Sequence, residues 1–286
     1  MPDSTISKSP LPGLYIVATP IGNLGDISAR AAATLASADL IAAEDTRVTA
    51  KLLAHLGIRV PMTPYHDHSD ERTRAALVAR MESEVVVLVS DAGTPLISDP
   101  GYKLVRDARA AGRHVTTLPG PCAAIAAITL SGLPSDRFLF AGFLPSKAKA
   151  RADAIAELAP LRATLVFYES GPRLAASLAA LAERLGNRDA AVVREISKFY
   201  EQCVSGSLDE LTLRYAETPP KGEIVIVVGP PVDAIAEDVD EAVIDKALRA
   251  AMADKPVAQA AKAVAKQYGR DRHQVYARAL ALKGAN

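Results

Sequence analysis

The chain has 286 residues, 49% of them hydrophobic and 23% charged, with 33 Lys plus Arg against 33 Asp plus Glu. This composition fits a folded protein of about two domains and excludes disordered, collagen-like and disulfide-framework chains. A balanced charge carries no bulk nucleic-acid footprint, and the longest nearly apolar run, Cys122 to Leu130, is far too short to cross a bilayer.

Residues 1–13 hold three prolines and no apolar block, so they read as a loose leader rather than a signal peptide, and a cytoplasmic protein is expected. Short β-rich runs then alternate with Ala/Leu-rich stretches, the pattern of layered α/β folds. The first unit, 14–119, is expected to hold strands at Leu14–Ala18, Leu40–Ala43, Val85–Ser90 and His114–Leu118. Its helices are expected at Ile27–Ala36, Arg47–His55, Asp70–Met81 (capped by Ser69) and Tyr102–Ala111. The boundary falls at Pro119-Gly120-Pro121. The second unit, 120–231, is expected to hold strands at Phe138–Gly142, Ala163–Tyr168, Ala190–Glu195, Gln202–Val204 and Glu223–Val228, closing at Gly229-Pro230-Pro231.

Residues 232–286 differ in kind. From Asp233 to Asp245 there are six acidic residues and no basic one, whereas from Lys246 onward nine basic residues stand against Asp254 and Asp271. Helices are expected at Ala242–Met252, Ala258–Tyr268 and Asp271–Leu282, with a tight Tyr268-Gly269-Arg270 turn and Asp271 as an N-cap. Two short helices around a Gly turn, bearing Lys262, Lys266, Arg270, Arg272 and Arg278, suit a helix-turn-helix that touches a polyanion. A solvated helical cap explains them equally well.

Open α/β sheets bind ligands at strand-end loops, and three such loops combine glycines with prolines. They are Thr19-Pro20-Ile21-Gly22-Asn23-Leu24-Gly25-Asp26, the stretch from Asp91 to Gly101, and Pro119-Gly120-Pro121-Cys122. Three in successive strand-end positions indicate one shared cleft. Neither GxGxxG nor GxxxxGK[ST] occurs, so phosphate cradling is unsupported, and HExxH and GxSxG are absent too. Cys122 and Cys203 form no CxxC pair, and His66-Asp67-His68 has no obvious third ligand. No metal is expected.

The succession YIVATPIGNLGD, AAEDTR, SDAGTPLISDPG, LPGPCAAIAAITLSGLP, FAGFLP, VFYESGPR, REISKFYEQ and GEIVIVVG resembles the tetrapyrrole methylase superfamily from about Leu14 to Gly229. Within it, the chain is most similar to the branch that methylates the ribose 2′-oxygen of cytidine 1402 in 16S rRNA of the small (30S) ribosomal subunit, and the basic tail resembles that branch's helix-turn-helix extension. The resemblance implies two α/β domains with S-adenosylmethionine in the cleft between them, a small all-helical C-terminal extension, and a homodimer. It places the cofactor pocket on Pro20, on Asp91, Ala92, Gly93, Thr94 and Ile97, on Cys122 and Ala123, and on Tyr168, Glu169 and Glu223. A core role suits Tyr168 as well.

A ribose hydroxyl becomes a good nucleophile only as its proton leaves, so a general base is expected near the methyl group. Glu44 or Asp45 is a candidate, with Arg47 orienting the carboxylate or holding a phosphate. Asp45 or Thr46 also suits the N-cap of the following helix. Glu195, Lys198 and Glu201 form a second charged group able to act on the hydroxyl or anchor RNA, and Lys147, Lys149 and Arg151 mark a basic loop expected to face RNA. Two rival readings stay open: a tetrapyrrole C-methyltransferase on the same fold, and a non-enzymatic RNA-binding ribosome assembly factor.

Overall fold

The computed structural model describes residues 10–66, 69–231, 241–268 and 272–284. They fall into two compact units, one ending at Pro230 and the other beginning at Pro231. The leader to residue 9, Asp67 and His68, the acidic stretch 232–240, and the Gly269-Arg270 turn with its Asp271 cap lie outside the described residues.

The first unit opens with a five-stranded, wholly parallel sheet. Strands β1 (Gly13–Val17), β2 (Leu40–Ala43), β3 (Met62–Pro64), β4 (Val85–Val89) and β5 (Val115–Leu118) take the order β3-β2-β4-β1-β5. Helices α1 (Ala29–Ala36), α2 (Thr46–His55), α3 (Glu71–Arg80) and α4 (Tyr102–Ala110) provide the crossovers. Every residue of β2 and β4 is buried, as expected of parallel strands covered on both faces. Alternation sends Tyr15, Val17, Ile41, Val87 and Val89 to α1 and α2, and Leu14, Leu40, Val86 and Leu88 to α3 and α4. Because all five strands run the same way, every β-to-α loop opens at one edge.

Strand β3 was not anticipated. Three residues ending in proline give no periodicity, and a proline is tolerated there because the strand lies at the sheet edge. The α3 cap also differs from expectation. Asp70, not Ser69, accepts from the Thr73 amide at 2.7 Å, while the Ser69 hydroxyl accepts from the His66 amide at 2.9 Å and closes the preceding turn.

Helix α5 (Ala123–Ser131) leads into a mixed sheet of β6 (Phe138–Phe143), β7 (Thr164–Ser170), β10 (Glu223–Val228), β8 (Asp189–Arg194) and β9 (Gln202–Ser207), in that spatial order. Only β6 and β7 are parallel. One face, with Leu165, Phe167, Val192 and Ile226, packs on α6 (Ala148–Leu158), α7 (Gly171–Leu185) and α8 (Leu208–Tyr215). The other, with Val166, Ala191, Val193 and Val225, packs on α5.

The second unit is three helices, α9 (Glu241–Asp254), α10 (Val257–Tyr268) and α11 (Arg272–Gly284), around Ile244, Leu248, Ala261, Val264, Val275 and Ala279. Arg278 is bound at 2.8 Å to both carboxylate oxygens of Asp245, so its charge clips α11 to α9.

The start of α7 is backbone-tight, since a Cβ added at Gly171 would stand 1.8 Å from the Pro220 carbonyl oxygen. Gly171→Ala is therefore expected to destabilise the protein by roughly 1–3 kcal/mol through forced displacement of that backbone. A urea midpoint equal to the parent's would show that the segment yields freely.

Candidate active site

The site is built at the open edge of the parallel sheet. The turn after β4 is tied to three other strand-end loops. Thr19 and Gly93 exchange both backbone bonds, N–H to O at 2.8 and 3.0 Å, as an isolated antiparallel bridge. The Asp91 amide donates to Glu44 Oε2 at 3.2 Å, and Asp91 Oδ1 accepts from the Asp45 amide at 2.9 Å. The Thr94 hydroxyl donates to the Pro121 carbonyl at 3.0 Å. The loops after β1, β2, β4 and β5 thus form one rim.

Facing that rim is the second sheet. Together they enclose a cavity of about 390 Å³ lined from one side by Ile21, Glu44, Asp91, Ala92, Gly93, Thr94, Ile97, Ser98 and Asp99, and from the other by Ala123, Phe143, Tyr168, Glu169, Ser170, Ile196, Gly222, Glu223, Ile224 and Val225. The volume is that of a small-molecule site. Among the described residues the lining carries five carboxylates (Glu44, Asp91, Asp99, Glu169, Glu223), two aromatic rings and no lysine, arginine or histidine.

Several expected pocket residues therefore converge: Asp91, Ala92, Gly93, Thr94, Ile97, Ala123, Tyr168, Glu169 and Glu223 all line the cavity. Pro20 and Cys122 do not, although their neighbours Ile21 and Ala123 do. Cys122 is the N-cap of α5 and makes no side-chain cap bond. The Tyr168 hydroxyl instead receives the Ala124 amide of the first turn at 3.2 Å. Burial, with Cys122 nearby, pushes this phenol above its usual range, and its ring meets Phe140 and Phe143 edge-on at 4.7 and 5.6 Å. Both core packing and cavity lining are thus real for Tyr168.

Glu169 is almost wholly enclosed, its side chain 1% exposed. It accepts from the Ser177 hydroxyl at 2.5 Å and the Ser170 amide at 2.9 Å, and pairs with Arg173 at 3.3 Å. This carboxylate braces α7 against β7.

Of the residues expected to act on the hydroxyl, Glu44 alone lines the cavity. Asp45 caps α2 through the Arg47 amide at 2.8 Å and pairs with the Arg47 guanidinium at 2.6 Å. Those bonds from Arg47 push Asp45 down to about 2. Lys198 donates to Glu195 and Glu223 at 3.0 and 2.9 Å. Burial disfavours its ammonium, but these two bonds outweigh that and hold its pKa above the usual lysine value. Its stem lies across Gly22, where a Cβ would stand 2.4 Å from the lysine Cγ, so it seats the second sheet's loop against the first sheet's. Glu201 accepts from the Ser197 amide at 2.7 Å and closes that same loop.

Asp99, Ser98, Phe143 and Ile196 line the cavity without having been singled out. All four stand inside the quoted motif strings, which was the available signal. Burial, with the Glu44 and Asp91 carboxylates adding to it, pushes Asp99 up to about 6 against an opposing hydrogen bond with Ser90. Away from the cavity, Lys147 is the exposed N-cap of α6 and Lys149 is exposed on its first turn. Lys262 is exposed on α10, Lys266 and Arg272 belong to α10 and α11, and Arg270 lies outside the described residues. Among the described residues no group of three His, Cys, Asp or Glu gathers as for a metal, and no helix is long and apolar enough to cross a membrane.

Residues 13–212 match the family described as Tetrapyrrole (Corrin/Porphyrin) Methylases, and residues 237–283 match the RsmI C-terminal HTH domain. The chain is 58% identical over 278 residues to ribosomal RNA small subunit methyltransferase I of Erythrobacter litoralis, covering 97% of this chain and 98% of the relative. It is 49% identical to the Mesorhizobium japonicum protein of that name, covering 95% and 92%. Among solved structures, uroporphyrin-III C-methyltransferase from Thermus thermophilus complexed with S-adenosylhomocysteine shares the fold at a TM-score of 0.52, with 21% identity over 79% of this chain and 96% of that one.

The Glu169 brace generates a stability expectation. Glu169→Ala orphans the Ser177 hydroxyl and the Ser170 amide and removes the carboxylate partner of Arg173, which keeps its bond to the Leu144 carbonyl, so it should cost roughly 2–3 kcal/mol. Glu169→Gln, which keeps an acceptor, should cost clearly less. Chemical denaturation of both variants checks the difference, and equal losses would remove the brace.

Proposed function

The chain belongs to the tetrapyrrole (corrin/porphyrin) methylase family, and on that premise we propose that it transfers the methyl group of S-adenosylmethionine to a ribose 2′-hydroxyl of small-subunit ribosomal RNA, at cytidine 1402 of 16S rRNA. The observation that carries the donor assignment is the cavity's charge: carboxylates and aromatic faces surround it and, among the described residues, no basic side chain lines it. Such a lining suits a sulfonium cation, which favours carboxylates and π faces, and it disfavours a ligand gripped by phosphates.

When bound, S-adenosylmethionine supplies an electrophilic methyl group on a sulfur that leaves uncharged. The tied rim of Asp91 to Thr94 and the first turn of α5 would hold it, with Ile97, Ala123 and Tyr168 packing around its apolar parts and Asp91 or Glu223 accepting from its amino or hydroxyl groups. The protein's own work is then to orient the acceptor hydroxyl in line with the methyl group and to take its proton at the acidic rim. The relatives' names specify small-subunit ribosomal RNA as their acceptor, which favours RNA over a tetrapyrrole. The C-terminal helices fit that acceptor, since Lys246, Arg249, Lys262 and Lys283 are exposed on them and Lys255 is exposed between α9 and α10. In this reading 14–119 and 120–231 are the catalytic domains, 232–286 is the RNA-engaging module, and the protein works in the cytosol as a homodimer with no catalytic metal.

Asp91→Ala and Thr94→Val remove the ties to the β2 and β5 loops and should each weaken S-adenosylmethionine binding by roughly 5- to 150-fold, from roughly 1–3 kcal/mol per lost partner. Isothermal titration calorimetry measures this, and parental affinity in both would displace the donor from the cavity. Mapping 2′-O-methylation on rRNA from a deletion strain, with and without the gene restored, tests the acceptor.

Deleting residues 236–286 is expected to leave donor affinity intact while weakening attachment to ribosomal RNA and flattening its salt dependence, because phosphate contacts release counterions. Equal salt slopes for the full-length and truncated proteins would make the helices a mere cap.

A further inference from the structure

Building on the methyl-transfer reading above, we infer that Phe199 and Tyr200 form a stacking platform beside the cavity that grips an unpaired base of the RNA next to the acceptor nucleotide. Phe199 is 93% exposed and Tyr200 68% exposed, and among the described residues no large apolar side chain is more exposed than Phe199. Single apolar side chains on a surface are ordinary. Two adjacent aromatic rings left open on a tightly fastened loop are not.

The loop after β8 is fixed both to itself and to the opposite wall. The Lys198 amide donates to the Glu195 carbonyl at 3.0 Å, and the Glu201 amide donates to the Lys198 carbonyl at 3.1 Å. Glu195 and Ser197 hold left-handed backbone conformations, φ 51° and 64°, which for residues other than glycine are uncommon and concentrate where a loop is shaped for a task. The Ser197 hydroxyl donates to the Asp26 carboxylate, just after β1, and the Lys198 stem crosses Gly22 of that same loop. Ile196, in the same short loop, lines the cavity. The two rings are thus held a short length of chain from the cavity wall.

The charged side chains of this loop are turned to its own surroundings. Lys198 is bound to Glu195 and Glu223, Glu195 also accepts from the Glu223 amide at 3.0 Å, and Glu201 accepts from the Ser197 amide. What Phe199 and Tyr200 offer outward is ring area, which suits the flat face of a base and not a phosphate. Stacking of unpaired bases on aromatic side chains is a main way in which single-stranded RNA is held. The two rings meet edge-on at 5.0 Å and 89°, a contact that occupies at most one face of one ring and leaves the rest for a base. The cavity does not supply this grip through phosphates, since among the described residues no cation lines it. A contact between two copies of the chain would use these residues through apolar burial alone, which leucine also supplies, whereas stacking needs the aromatic face.

The test uses the full-length protein and 30S subunits from a strain lacking the modification. Replacing the pair by Phe199→Ala with Tyr200→Ala should raise KM for the subunits roughly 5- to 150-fold, while S-adenosylmethionine affinity by calorimetry stays parental. Phe199→Leu with Tyr200→Leu keeps the apolar bulk and should lose as much. Phe199→Tyr with Tyr200→Phe keeps both rings and should retain the parental KM. Sedimentation velocity should give one oligomeric state for the parent and all three double variants.

A second readout is independent of activity. The chain contains no tryptophan, so Tyr200→Trp places a single fluorescent reporter in the platform. Oligocytidylate should quench it, and an abasic ribose-phosphate oligomer of equal charge, compared at equal occupancy, should not. A parent that binds the donor but methylates no rRNA would overturn the acceptor reading and this inference with it. A parent that methylates, beside an alanine pair or a leucine pair with the parental KM, overturns the platform alone. A changed oligomeric state in the alanine pair, or equal quenching by the two oligomers, does the same.

Discussion

The site depends on one short turn. Asp91 to Thr94 follows a wholly buried strand, yet its hydrogen bonds reach sideways to the loops after β1, β2 and β5. A parallel sheet ordinarily leaves such loops independent, since each belongs to a different crossover. Here the Thr19–Gly93 exchange, the Glu44–Asp91–Asp45 latch and the Thr94–Pro121 bond convert four loops into one surface. A ligand meeting that surface finds groups already oriented, and little ordering entropy is lost on binding. The glycine and prolines of these loops serve the same end by letting backbone approach backbone and by limiting alternative paths.

The opposite wall is made differently. The second sheet is mixed, and its contribution comes from β7, the start of β10, and the loop after β8, where Glu195 and Ser197 take φ values of 51° and 64°. Lys198 ties that loop down through two carboxylates and lies across Gly22, so a charged cluster that resembles catalytic machinery in sequence is a fastening between walls. Its location explains why spacing alone left its role open. A lysine near two glutamates reads the same whether it grips a phosphate or its own neighbours, and only the distances decide.

That ambiguity marks the line between what was legible and what was not. Strands such as Val85–Val89 were legible because burial on both faces leaves an uninterrupted apolar run, and the strand-end loops stood out through their glycines and prolines. Met62–Pro64 was invisible because three edge residues carry no period, and Asp70 displaced Ser69 as a cap because two adjacent capping residues differ only in geometry. The first sheet's half of the cavity lies in contiguous motifs and was largely found. Phe143 and Ile196 lie inside the separate FAGFLP and REISKFYEQ strings, but only folding brings them to the cavity, and their apolar character alone reads equally as core or surface.

The carboxylate group takes three distinct characters within this site, and environment assigns them. Asp45, exposed and bonded to Arg47, is driven down to about 2 and becomes a permanent anion that starts a helix. Glu169, enclosed by two donors and a guanidinium, is a brace. Asp99, half-buried among like charges with only a serine to ease its ionisation, is driven the other way, to about 6. Keeping such a carboxylate ionised at neutral pH opposes folding, and the fold bears that cost because the tied rim and two buried sheets supply stability elsewhere. The basic residues lie elsewhere as well: among the described residues none lines the cavity, while several are exposed on the C-terminal helices. A chain with no net charge thus separates its charges in space, with carboxylates gathered at the cavity and basic side chains exposed on the C-terminal helices.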